Sequence, residues 1–126
     1  MKKLITIVSL IAVLGFAFQA SAQKTVTKEL LLTTLNGVAH LKFENDQVTQ
    51  LMEYNEGFVD QVFVILDSNA EDKQKKESLD ALSFTRKTDL HTFLTKHETN
   101  KYLKYMEDQL KPLVHKNKLL KHIAKY

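Results

Sequence analysis

The 126-residue chain has no cysteine, no tryptophan, one proline and three glycines. Without cysteine no disulfide can form, no thiol can act as nucleophile, and no lipid can be attached at the end of an export leader. One of the three glycines, Gly15, falls in the opening apolar run, so tight ligand-cradling turns are scarce and no glycine-rich phosphate loop is present. Pro-rich, repetitive and low-complexity stretches are also missing, and nothing divides residues 23–126 into more than one domain. Beyond the opening apolar run, acid is missing from the end of the chain: 111–126 carries five lysines and no Asp or Glu, while 23–110 holds 11 basic and 15 acidic residues. That near balance gives no footprint for a nucleic-acid partner.

What is present begins with an export signal. Met1-Lys2-Lys3 is a short basic head, residues 4–18 are apolar with few interruptions, and Ala20-Ser21-Ala22 puts small residues at a cleavage site. The apolar run is shorter than the roughly 20 residues a membrane-crossing helix needs. Residues 1–22 are therefore expected to be a cleaved signal peptide, and 23–126 a single helical domain in the periplasm or outside the cell.

The helical pattern is strongest over 45–66. Val48, Leu51, Met52, Phe58, Val59, Val62, Phe63 and Leu66 repeat at the 3.6-residue period, and only Asn55 breaks the stripe with a polar group. After Gly57 the segment is apolar nearly all round, so this end is expected to be buried deepest. A strand over 61–66 is the competing reading, because Val, Phe and Ile suit a pleated surface. Upstream, Thr27 is placed to cap a helix over 28–35 that Asn36-Gly37 would stop. Downstream, Ser68 and Glu71 have capping-box spacing ahead of a helix over 69–92 with Leu79, Leu82, Leu90 and Phe93 on one stripe. Its polar first turns suggest a solvated end steadied by pairs such as Asp72–Lys76. Thr95 and Glu98 form a second capping box, launching Tyr102, Leu103, Met106 and Leu110. Pro112 should kink or restart the chain, followed by a short basic amphipathic helix. The fold class is all-α: a small bundle or hairpin of three to four helices with that basic helix after Pro112.

Two helix starts about fifty residues apart share one logic: Phe43-Glu44-Asn45-Asp46-Gln47 and Leu94-Thr95-Lys96-His97-Glu98. This doubling resembles the Leu-Thr-x-x-Gln motif of the Spy/CpxP-like periplasmic proteins. Gln47, Val48, Leu51, Asn55 and Phe58 in the first helix, and Tyr102, Leu103 and Met106 in the second, extend the likeness over residues 41–110. The first copy departs from the motif with Phe43-Glu44, a poor cap that Asn45 could replace, and the second has Glu98 for Gln. The resemblance implies an exported stress-response protein, a cradle-shaped homodimer that holds unfolded clients without ATP. Met52, Phe58, Phe63, Phe84 and Phe93 are the candidate client-binding residues.

No catalytic site or cofactor is legible. Ser68, Ser78 and Ser83 lack a strand–turn–helix elbow. The histidines are His40, His91, His97, His115 and His122, and none has a partner one helical turn away in the ligand spacing His-x-x-x-His. No metal site is assigned, although a metal-sensing or metal-buffering protein of the same architecture is the first alternative. An envelope-associated structural protein is the second, with the basic tail making weak contact with an anionic surface. The tail is expected instead to pack onto the domain, near Glu53, Glu56 and Asp60.

Overall fold

The computed structural model describes residues 25–125, so the expected signal peptide lies outside the described residues. Those residues are helical, with no strand. Thr27 caps α1 (Lys28–Leu35) by accepting from Leu30 N at 3.0 Å. Helix α1 ends at Asn36, which keeps a right-handed backbone, and Gly37 has no positive φ either. The left-handed residue is Lys42 (φ 56°), directly after a 3₁₀ turn at Ala39–Leu41. That residue turns the chain into α2.

Helix α2 (Asn45–Leu66) is the longest element, and the helical period outweighs the strand reading of 61–66. Leu51, Asn55, Phe58, Val59 and Val62 are its buried stripe. The far half of α2 holds Phe58, Val59 and Val62 of that stripe, as expected of the more deeply buried end, but it still leaves one face open: Val64 is 71% exposed. One helix against one side of the bundle can hide only one face, whatever the composition of the other.

The connection to α3 (Asp72–Leu90) corrects a second expectation. Ser68 does not cap α3. Its hydroxyl donates to Ile65 O at 2.8 Å and accepts from Ala70 N, closing the end of α2. Glu71 is itself the N-cap residue and makes no side-chain cap bond, so the helix starts later than the box spacing implied. Lys75 Nζ donates to Leu66 O at 2.8 Å, whereas Asp72 and Lys76 form no ion pair. Three pairings, Tyr54–Asp89, Phe58–Arg86 and Leu66–Lys75, run in opposite directions along the two helices. Helices α2 and α3 are therefore an antiparallel hairpin, as a short connection requires.

Helix α4 (Lys96–Gln109) buries Thr99, Tyr102, Leu103 and Met106. Leu110 separates it from α5 (Lys111–Lys116), with Pro112 in the first turn, where the missing N–H costs nothing. The tail is not one helix. Asn117 is extended and its side chain accepts from Leu119 N, starting a 3₁₀ turn (Lys118–Leu120) that runs into α6 (Lys121–Ala124). Leu113, Leu120, Ile123 and Ala124 all face inward. The tail packs on the domain, but against α3 rather than beside Glu53, Glu56 and Asp60. Asp60 is paired instead with Lys28 of α1 at 3.5 Å.

Candidate functional site

Three polar assemblies interrupt the apolar packing. The first joins the two helix starts. Thr95 Oγ1 accepts from Glu98 N at 3.0 Å, and Glu98 Oε1 accepts from Thr95 N at 2.9 Å, a complete capping box. At the other start Glu44, not Asn45, is the N-cap, and Gln47 Oε1 accepts from its amide at 3.0 Å. Gln47 Nε2 then crosses to Glu98 Oε1 at 2.9 Å and to Phe93 O at 3.3 Å. The motif thus ties α2 to the α3–α4 turn as well as starting a helix. Hydrogen bonds from Thr95, joined by that from Gln47, favour the charged carboxylate and hold Glu98 below its ordinary range.

Asn55, the polar break in the α2 stripe, is fully buried. Its Nδ2 faces Asn36 Oδ1 at 2.9 Å, Leu35 O at 3.2 Å and Tyr102 Oη at 3.3 Å. Tyr102 in turn donates to Leu35 O at 2.8 Å. Leu35 is the last residue of α1, where carbonyls lose their intrahelical partners, so α2 and α4 together cap α1. Burial pushes the Tyr102 hydroxyl up to about 12.

The third assembly centres on Arg86, which occupies a core position of α3 and is 1% exposed. Its guanidinium carbon sits 4.5 Å from the centroid of the Phe58 ring, a cation–π contact. Its Nη2 donates to Ile123 O at 2.6 Å, satisfying a carbonyl at the end of α6. Burial lowers the proton affinity of the guanidinium, yet arginine stays charged in proteins. Among the described residues it has no carboxylate partner, and its Nε and Nη1 have no hydrogen-bond partner. Beside it, His122 Nδ1 lies 2.8 Å from Asp80 Oδ1, and the buried His122 Nε2 is also without a partner. Arg86, Asp80 and His122 line a cavity of about 400 Å³ with Ser83, Phe84, Lys87, Leu103 and Lys125.

The five candidate client-binding residues do not share one surface. Phe58 is core, 1% exposed beneath Arg86, so it is unavailable to a client. Phe63 and Phe93 are partly buried and packed against the core. Met52 is 47% exposed near Leu32 and Glu56, and Phe84 is 78% exposed at the cavity on α3. His40, His91, His97 and His115 are exposed, and no group of three or more potential metal ligands gathers among the described residues. No helix among them is long and apolar enough to cross a membrane. Arg86 was missed in the sequence because the stripe was built from apolar residues alone. The signal was its spacing, four residues after Leu82 and four before Leu90.

Comparison with protein-family models, with curated proteins and with solved structures finds no match.

Proposed function

We propose that this chain is an exported, non-enzymatic binding protein that holds unfolded or misfolded polypeptide without nucleotide, as a homodimer in the periplasm or outside the cell. The observation that carries the reading is Phe84, a large aromatic ring 78% exposed on a helix whose inner face is fully engaged. A soluble helix face keeps such a ring in water at a cost that a partner surface removes. Met52 and Val64, also exposed on the α2–α3 hairpin, add apolar contact points around a scaffold locked by its caps. The resemblance of the two helix starts to the Spy/CpxP-like proteins points the same way.

The test is suppression of aggregation of an unrelated, chemically unfolded substrate in the absence of ATP. The parent protein should suppress it, and the double variant Phe84→Ser/Met52→Ser should not, with its melting temperature unchanged because both side chains lie outside the core. Full activity in the double variant would refute the reading. Sedimentation should show a dimer at micromolar concentration, and a monomer that stays folded on dilution would remove the shared cradle.

A further inference from the structure

We propose that the cavity between α3 and the C-terminal helix is a binding site for a small amphiphilic carboxylate, a single anionic headgroup carrying an apolar body. A buried guanidinium without a counter-ion is costly, because desolvation removes far more than one cation–π contact and one carbonyl return. Arg86 is in that position: 1% exposed, one donor on Ile123 O, and Nε and Nη1 unpartnered. The deficit is local and shared. His122 Nε2 is a third buried atom without a partner, on a residue that lines the same cavity.

The rest of the lining selects the ligand. Lys87 and Lys125 add positive charge, while Asp80, the sole acid of the lining, is engaged by His122. The site therefore carries a positive excess and selects an anion. Phe84 and Leu103 supply apolar wall, and the volume of about 400 Å³ lies in the range of small-molecule sites. A bare inorganic anion would leave that wall unused. A carboxylate matches the planar guanidinium and lets its chain lie along Phe84 and Leu103. His122 and Lys125 stand on the four-residue α6 and the residue after it. The headgroup therefore reaches Arg86 by shifting side chains of the short tail, leaving the long helices in place. Phe84 is shared with the client-binding reading, but the anion site rests on Arg86 and its unpartnered donors, which client binding does not use.

Calorimetric titration of the purified full chain with octanoate, below its micellar range, tests the site. Saturable one-to-one binding is expected, with no saturable binding of octanol and no competition by inorganic phosphate. Lys87→Glu/Lys125→Glu, on the rim, should weaken octanoate by at least about tenfold, and Arg86→Met should abolish binding. Should Arg86→Met fail to fold, the rim variant decides, together with the His122 ring resonances, which should shift on addition of octanoate. Equal affinity for octanol would mean an apolar crevice without an anion site. Equal competition by phosphate would mean a plain anion site. Either result, unshifted His122 resonances, or unaltered octanoate affinity in the variants, overturns the proposal.

Discussion

The most informative perturbation of this fold is the removal, singly and together, of the two side chains that serve Leu35 O. That carbonyl receives Tyr102 Oη at 2.8 Å and Asn55 Nδ2 at 3.2 Å, and Asn55 also reaches Asn36 Oδ1 at 2.9 Å. Tyr102→Phe removes one neutral hydrogen bond, worth about 1 kcal/mol net, and leaves the carbonyl with Asn55. Asn55→Leu keeps the branched heavy-atom shape but loses two donors. Part of that loss is offset because the Asn55 Oδ1, itself without a partner, disappears too, so about 1–2 kcal/mol is expected. Each single variant still leaves Leu35 O with one donor. The double variant leaves it buried with none, adding a desolvation cost of about 1–3 kcal/mol. The two effects should therefore be more than additive by about 1 kcal/mol, outside the few tenths seen for independent sites. Urea denaturation of the four proteins gives the cycle, with midpoints shifting at constant slope. Strict additivity, or a gain in stability from Asn55→Leu, would show that the knot does not cap α1.

Alkaline pH tests the same hydroxyl without mutation. The folded Tyr102 is raised from its ordinary value of 10.0 to about 12, so the fold favours the neutral phenol. Its contribution is complete below about pH 10 and is lost as pH rises toward 12, on the order of 2–3 kcal/mol. Tyr54, raised by burial and by its bond to Asp89, acts in the same direction. Unfolding midpoints measured across this window should fall, less steeply in Tyr102→Phe; a flat profile would contradict the assignment. Gly57→Ala should stabilise the protein by about 0.5–1 kcal/mol, because the position is mid-helix, exposed, and a Cβ there meets nothing within 4 Å. Thermal unfolding checks it, and a destabilised variant would mean that α2 bends at Gly57.

The period of the apolar residues made α1, α2 and α4 legible, because a 3.6-residue stripe and a side-chain cap are both local properties. Thr27 and Thr95 cap as their chemistry dictates. Ser68 could not be read in the same way. A hydroxyl between two helices can close the first or open the second, and the choice depends on where the chain must reverse. The exposure of Val64, in a segment apolar nearly all round, has a similar cause: composition gives the number of apolar faces, while the number of neighbours comes from tertiary packing. The tail was legible as basic and amphipathic, but its split at Asn117 was not: Leu113, Leu120 and Ile123 stand at spacings of seven and three that one continuous helix would also put on one face, and the break is set by the extended backbone and side-chain cap of Asn117.

The residue that decides the site, Arg86, was hidden by its own chemistry. At a position bracketed by Leu82 and Leu90, an apolar side chain would complete the stripe, and an arginine there is ordinarily expected to turn its charge outward. Here the outward route is closed by the tail, since Ile123 and Ala124 are buried and Ile123 O lies on the guanidinium. A core made for stability alone would be served as well by methionine, because replacing buried charge with well-packed apolar groups is often neutral or stabilising. The guanidinium nevertheless ends under a short terminal helix with Lys87, Lys125 and His122 around it. Arginine and tail form one device: the tail shields the charge from water, and the charge fastens the tail through one carbonyl.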